Sequence, residues 1–324
     1  MRILVSGGAG YIGSHTVRLL RSRGEDLHVV DDLSAGHAEA VAGVPLHVLD
    51  LRERPAVRAL FDSLRPEAVI HFAAHCYVGE SVENPRKYFE DNLGAALNVL
   101  GAMVDTGCRH FIFSSTCATY GEPRTVPIPE DHPQDPVNPY GESKLFIERV
   151  LRRYDAAYGL KSVSLRYFNA AGADASGEIG ESHAPETHLV PLMIRAVLDP
   201  AFTLTVFGDD YPTPDGTCIR DYIHVTDLAE AHARALEHLR RTGRSDAFNL
   251  GTGAGHSVRE MITRLEALAG RPVKRRTGPR RGGDPPALVA DARKAAGEMG
   301  WRCRHSDIET ILATAWKWHS HPAF

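Results

Sequence analysis

The sequence predicts an α/β fold, with a doubly wound parallel sheet followed by a smaller C-terminal α/β domain. Three observations predict it. Short apolar runs rich in β-branched residues alternate with helical stretches through the first half of the 324 residues. A glycine-rich turn directly follows the first of these runs. Beyond residue 168 the alternation gives way to long polar loops set between helices.

The elements follow in order. Arg2–Ser6 reads as a buried parallel strand. Gly7, Gly10 and Gly13 come next at three-residue spacing. Ile12, Thr16, Leu19 and Leu20 then recur at helical intervals, and Gly24 is a stop signal. Leu27–Val30 is a second strand ending in Asp31-Asp32. Leu46–Leu49 leads to Asp50, and Ala68–Phe72 to Ala73-Ala74. His110–Phe113 leads to Ser114-Ser115-Thr116, and Ser162–Arg166 to Tyr167. Helical stretches at Pro55–Leu64, Tyr88–Thr106 and Ser143–Tyr158 separate them. This is a Rossmann-type order, whose ligands bind at the carboxyl ends of the strands. Ala73-Ala74, Thr116 and Tyr167 fall at such ends.

The second half contains the loops Gly172–Thr187, Gly208–Thr217 and Gly278–Pro286. Around them lie helical stretches at His188–Leu198, Val225–Leu239 and Val258–Ala269 and a strand at Asp221–Val225. The expected division is a dinucleotide-binding domain over 1–168 and a mainly substrate-binding domain over 169–324, with about 221–240 packing back on the first.

Composition narrows the class. A hydrophobic content of 43% supports a sizeable core, and a net charge of −4 argues against a nucleic-acid or membrane-surface partner. Met1 leads straight into the first strand without a targeting segment, so a cytoplasmic location is expected. The five cysteines form no Cys-x-x-Cys pair and read as free thiols. The 17 histidines show no His-x-x-x-His with a partnering acid, so no metal is expected.

Two motifs carry the chemistry. Strand, glycine turn and helix in succession form a dinucleotide fingerprint, in which bare backbone and a helix N-terminus receive a pyrophosphate. Asp31 or Asp32 ends the second strand, where a carboxylate accepts hydrogen bonds from the adenosine ribose and repels a 2′-phosphate. No Arg or Lys occurs between Asp31 and Arg52 to receive one, so NAD is favoured over NADP. Downstream, Tyr140 and Lys144 lie on one face of a helix. A phenol is a poor base, with a free pKa of about 10, and a neighbouring ammonium favours its anion. Thr116 offers a hydroxyl to orient or relay the proton. Tyr-x-x-x-Lys is common by chance; the dinucleotide context gives it weight.

With these motifs the chain resembles the extended short-chain dehydrogenases/reductases, and specifically the UDP-galactose (UDP-glucose) 4-epimerase family. The resemblance runs nearly end to end. It includes Gly-Gly-Ala-Gly-Tyr-Ile-Gly-Ser-His (7–15), Val-Gly-Glu-Ser-Val (78–82), Tyr-Gly-Glu-Ser-Lys (140–144) and Leu-Arg-Tyr-Phe-Asn (165–169). It continues through Asp-Gly-Thr-Cys-Ile-Arg-Asp-Tyr-Ile-His-Val (215–225), Asn-Leu-Gly-Thr-Gly (249–253) and Arg-Arg-Gly-Gly-Asp (280–284).

The resemblance implies reversible epimerisation at C4 of a UDP-sugar through a transient 4-keto sugar, with NAD as cofactor and a homodimer as the assembly. Tyr140 is then the base, Lys144 its activator and Thr116 the assisting hydroxyl. Tyr140 and Lys144 also join Gly7, Gly10, Tyr11, Ile12, Gly13, Asp31, Asp32, Asp50, Leu51, Phe72, Ala73, Ala74, Asn92, Ser114 and Tyr167 in holding NAD. Substrate falls to Thr116, Asn169, His188, Leu189, Val206, Phe207, Arg220, Tyr222, Arg281, Asp284 and Leu288. Arginines at 220 and 281 suit the two negative charges of a UDP-sugar.

The chain departs from the common pattern at three places. Cys76 stands where many members have Lys, Cys117-Ala118 follows Thr116, and His188 replaces an Asn. A nucleotide-sugar 4,6-dehydratase would place Asp-Glu directly after the Thr, which this chain lacks. A net NAD-dependent dehydrogenase and a non-catalytic NAD-binding protein are further alternatives; intact Tyr140 and Lys144 weigh against the latter. Among sugars UDP-glucose/galactose leads, with UDP-xylose/arabinose, UDP-N-acetylhexosamine and UDP-uronate as alternatives. Leu288 matches the family's gate beside the sugar.

Overall fold

The computed structural model describes residues 1–282 and 284–324. In the first half the chain forms β1 (Arg2–Ser6), α1 (Tyr11–Ser22), β2 (Asp26–Asp31), β3 (Leu46–Val48), α2 (Arg54–Leu64) and β4 (Ala68–His71). It continues with α3 (Val78–Glu83), α4 (Pro85–Lys87), α5 (Gly94–Thr106), β5 (His110–Thr116), α6 (Pro139–Tyr158) and β6 (Lys161–Tyr167). Next come β7 (Asn169–Ala171), α7 (Leu189–Leu198), β8 (Leu204–Phe207), β9 (Ile219–Arg220), β10 (Tyr222–His224) and α8 (Val225–Thr242). The chain ends with β11 (Asp246–Leu250), β12 (His256–Ser257), α9 (Val258–Ala269), β13 (Arg275–Gly278), β14 (Ala287–Leu288) and α10 (Ile308–Ser320).

Seven strands form one sheet in the order β11-β6-β5-β4-β1-β2-β3, and every pairing in it is parallel. Buried on both faces, β4 reads as an unbroken apolar run before His71. One face is covered by α1 and α8, with Val17, Leu20, Leu228, Ala231 and Leu236 packing on Ile3, Val5, Val29 and Phe248. The other is covered by α2, α5 and α6, where Val57, Phe61, Val99, Leu100, Met103, Ile147 and Leu151 meet Leu4, Val30, Val69 and Phe111. A separate core joins α7, α9 and α10 to β8 through Met193, Ile194, Met261, Leu265, Ile311 and Leu312.

Short two- and three-stranded pieces flank this second core: β10 with β7, β13 with β8, and β9 between β12 and β14. All five cysteines are free. Among the described residues no helix is long and apolar enough to cross a membrane.

The structure differs from the sequence reading at several places. The helix expected over Tyr88–Thr106 starts as a wider turn at Tyr88–Leu93 before α5. Helix α6 starts four residues ahead of Ser143, because Asn138 caps it through Gly141 N–H at 2.9 Å and Pro139 occupies the first turn. Strand β11 was not read from the sequence. Its buried Asn249 interrupts the apolar pattern, and the structure satisfies that amide with Ile128 O at 2.8 Å and Tyr120 OH at 2.7 Å. Helix α10 was also unread; Asp307 caps it through Thr310 N–H at 2.8 Å.

Candidate active site

The glycine turn is built by close backbone approach. Gly7 has φ +69°, and a Cβ there would lie 2.4 Å from Ala73 N. A Cβ on Gly13 would lie 2.2 Å from Gly7 O. No side chain fits either place without moving the turn. Gly10 is the N-cap of α1, which has no side-chain cap and no acidic residue in its first turn. Its N–H groups are therefore free to receive an anion. Tyr11 donates to Gly172 O at 2.6 Å, tying the turn to the second half. Ile12 packs against the α1/α8 core.

Asp31, buried at the end of β2, accepts from Ala9 N–H at 3.0 Å and Leu33 N–H at 3.0 Å. Burial raises its pKa, and the two N–H groups oppose that rise. Asp32 is exposed and caps Ser34 N–H at 2.9 Å. Of the two expected acids, Asp31 is thus the one against the glycine turn.

Tyr140 and Lys144 lie in the first turns of α6, and Gly141 sets how near those turns come to β5. A Cβ on Gly141 would lie 2.5 Å from Ala118 O, so the absence of a side chain lets α6 sit directly on the turn after Thr116. Lys144 Nζ donates to Ser114 O at 2.9 Å and lies 5.9 Å from the centre of the Tyr140 ring. Ser114 Oγ and Tyr167 OH share a hydrogen bond. Strand pairing sets Thr116 opposite Tyr167.

Burial lowers the Lys144 pKa to about 8. The sequence led to the expectation that Lys144 lowers the Tyr140 pKa. The structure instead places the phenol so deep that burial raises its pKa, followed by Tyr167 and Cys76; Thr116 acts the other way. Desolvation of the phenolate outweighs its polar neighbours here.

A polar network unread in the sequence stands behind this site. Glu148, one turn beyond Lys144, receives Arg166 Nη2 at 2.7 Å, Arg166 Nε at 3.0 Å and Ser115 Oγ at 2.6 Å. Gln134 Nε2 adds 3.1 Å to the same carboxylate, and Arg166 Nη1 donates to Tyr120 OH at 2.9 Å. Burial raises the Glu148 pKa, but these partners outweigh it and hold the carboxyl below its ordinary range.

Other expected cofactor residues are placed more indirectly. Asn92 uses its amide on His75 N–H at 2.8 Å, His75 O at 3.1 Å and Ser143 Oγ at 3.3 Å, so it pins the segment after Ala74. Leu51 sits in the α2/α5 core. Asp50 is forked by Arg52, with Nη2 at 2.6 Å. Phe72 faces the His232 ring at 4.5 Å.

The expected substrate residues gather on the small strands. Arg220 is buried, forms an ion pair with Asp284, and lies opposite Leu288 in the β9–β14 pairing. Arg281 lies 4.1 Å over the Phe207 ring. Gly283, between Arg281 and Asp284 in the motif, lies outside the described residues. Tyr222 is buried and pairs with Asn169. Leu189 opens α7 and packs on the second core. Leu288 packs on the cluster of Cys117, Tyr120, Ile128 and Phe168.

Two of these residues have other contacts of their own. Val206 is buried in the second core, so its side chain belongs to the packing of β8. His188 turns its Nδ1 to Glu186 Oε1 at 2.8 Å and Glu181 Oε1 at 2.9 Å. With His183 these carboxylates form a compact cluster. Burial disfavours the His183 imidazolium, but the two carboxylates outweigh it and push the pKa up to about 9. The signal in sequence was Glu-x-His-x-x-Glu-x-His over 181–188, a spacing that a search for His-x-x-x-His overlooks.

Residues 3–251 match the family model described as "NAD dependent epimerase/dehydratase family". The chain is 48% identical over 323 residues to the UDP-glucose 4-epimerase of Halalkalibacterium halodurans, covering 99% of this chain and 97% of that one. This protein belongs to the UDP-glucose 4-epimerase family. Two solved members share its fold closely. The Brucella ovis UDP-glucose 4-epimerase, in complex with NAD, superposes with a TM-score of 0.94 at 50% identity, covering 97% of each chain. The Stenotrophomonas maltophila UDP-glucose 4-epimerase, with bound NAD and formylated UDP-arabinopyranose, superposes with a TM-score of 0.94 at 41% identity. That match covers 99% of this chain and 98% of the other.

Proposed function

We propose that this epimerase-family chain interconverts UDP-glucose and UDP-galactose at C4, using NAD and passing through a transient 4-keto sugar. The observation that carries the reading is the convergence of Tyr140, Lys144 and Thr116 at the carboxyl ends of the strands, beside a glycine turn into which no side chain fits.

The residues present fit NAD. Gly7, Gly10 and Gly13 would hold the pyrophosphate against the N-terminus of α1, and Asp31 the adenosine ribose. Lys144, whose ammonium already reaches Ser114 O, would hold the nicotinamide ribose. When bound, oxidised NAD supplies the hydride acceptor for C4 and a positive charge that favours phenolate.

Tyr140 would take the proton from the 4-hydroxyl and return it to the same oxygen once the 4-keto sugar has presented its other face to the cofactor. Thr116 orients that hydroxyl. Arg220, fixed by Asp284, and Arg281, laid on Phe207, anchor the nucleotide diphosphate. Residues 1–168 mainly hold the cofactor and 169–324 mainly the substrate. A homodimer is the proposed assembly and the cytoplasm the proposed location.

The test is incubation of purified protein with UDP-galactose, then with UDP-glucose, UDP-xylose and UDP-N-acetylglucosamine, and separation of the epimers. The expected result is conversion of UDP-galactose without net NADH. Stoichiometric NADH, or conversion of another sugar alone, overturns the reading.

A further inference from the structure

We infer that Glu181, His183, Glu186 and His188 form a structural zinc site that clasps the loop between β7 and α7. One ligand atom from each side chain falls in a group whose members all lie within 4.8 Å of one another. His183 Nδ1 stands 3.3 Å from Glu181 Oε1 and 3.4 Å from Glu186 Oε2. Zinc bonds of about 2.0–2.1 Å in tetrahedral array place their ligand atoms about 3.3 Å apart. His188 Nδ1 stands 2.9 Å from the same Glu181 Oε1, a contact that needs only to open by about 0.4 Å to join that figure.

A second observation points the same way. His183 Nδ1 is buried and has no hydrogen-bond partner, although two carboxylates face it. A buried nitrogen left unbonded is costly, and a metal bond would satisfy it. Its side chain is 13% exposed, and those of Glu181 and Glu186 are 4% and 15% exposed. These three side chains are therefore largely removed from water, while that of His188 is 37% exposed.

Charge and donor type choose the ion. Two carboxylates and two neutral imidazoles carry −2, which one divalent cation cancels. Calcium and magnesium prefer all-oxygen sites, whereas a mixed nitrogen and oxygen set in tetrahedral array suits zinc. Four protein ligands leave no open position, which marks a structural rather than a catalytic metal.

The surroundings hold the ligands in place. Glu186 Oε1 accepts from Thr187 N–H and His188 N–H, both at 2.7 Å, which leaves Oε2 directed at His183. Trp318 Nε1 donates to Glu181 O at 2.8 Å. The His183 ring meets the edges of Tyr11 and Tyr77 at 6.4 and 6.1 Å. The clasp thus touches the glycine turn through Tyr11, and His188 leads directly into α7.

The test does not depend on epimerase activity. Protein purified in metal-free buffer is analysed for bound metals, stripped with a strong chelator, and titrated with Zn²⁺ and with Co²⁺. The expected result is about one zinc per chain, the visible absorption of tetrahedral Co²⁺, and a rise in Tm on adding zinc back. His183→Ala and Glu186→Gln should each lower bound zinc at least tenfold. If either variant fails to fold, the Co²⁺ spectrum of the stripped wild-type protein decides. Absence of stoichiometric uptake by the wild-type chain overturns the proposal and leaves a cluster of imidazolium–carboxylate pairs. So does zinc that both variants retain, since the ligands then lie elsewhere.

Discussion

Replacing Arg166 by Met leaves Glu148 charged, buried and without its main partner, and the structure permits a worked consequence. The side chains of Arg166 and Glu148 are only 5% and 2% exposed, so water cannot replace the guanidinium. Removing one member of such a pair costs about 3–5 kcal/mol.

The pH dependence has a definite sign. In the wild-type protein the Glu148 pKa lies below its ordinary value of 4.5, so its contribution is fully present above that value and lost on acidification. Without Arg166, burial remains the largest influence and raises the pKa. The variant is then destabilised above pH 4.5 and relieved as the carboxyl takes up a proton. Between the raised pKa and the ordinary one, each pH unit of acidification returns about 1.4 kcal/mol.

Urea unfolding of both proteins at pH 7 and pH 5.5 measures this. The gap between wild type and Arg166→Met should narrow at the lower pH. Adding Glu148→Gln, which removes the charge and keeps hydrogen-bonding atoms, should recover most of the loss at pH 7. A gap below about 1 kcal/mol at pH 7, or one that widens on acidification, refutes the reasoning.

Other predictions concern the site itself. Tyr140→Phe should lower turnover by about 10²–10⁴-fold with nearly unchanged UDP affinity by calorimetry; near-normal turnover removes Tyr140 from the mechanism. Gly13→Ala puts a Cβ 2.2 Å from Gly7 O and should reduce retained NAD on the order of tenfold, equivalent to about 1.4 kcal/mol. The check is absorbance of the extracted cofactor. That extracted nucleotide should have the mass of NAD, because Asp31 closes on the glycine turn; recovery of NADP as the main species would contradict this. Leu288→Tyr should penalise UDP-N-acetylhexosamines selectively, by about 1–3 kcal/mol from overpacking. Comparison of kcat/KM on UDP-glucose and UDP-N-acetylglucosamine decides, and equal losses on both would make Leu288 a packing residue.

The sheet and the strand ends that carry the candidate site were legible because they rest on local signals. Continuous apolar runs marked β1, β4 and β5, and the four-residue spacing of Tyr140 to Lys144 placed both on one helix face. What stayed hidden depends on contacts distant in sequence. Asn249 looks like a loop residue until Tyr120 and Ile128 are brought to it. Glu148 and Arg166 look like surface charges until α6 and β6 face each other. Val206 and Leu51 stand within site motifs, yet their side chains serve the cores. The depth of Tyr140 was invisible as well, since burial is a property of the assembled fold.

The return of the chain to the main sheet has a consequence for synthesis. Strand β11 ends at Leu250, and until it arrives β6 has an open edge. Helix α1 likewise lacks α8, whose Leu228, Ala231 and Leu236 cover the same apolar surface. A nascent chain that has passed residue 168 therefore holds every cofactor-turn residue but not a closed core. Strand β11 arrives only when about three quarters of the 324 residues have emerged, and Met299 and Trp301, in the same core, come later still. The two halves of this protein mature together, because the later half carries the last wall of the earlier one.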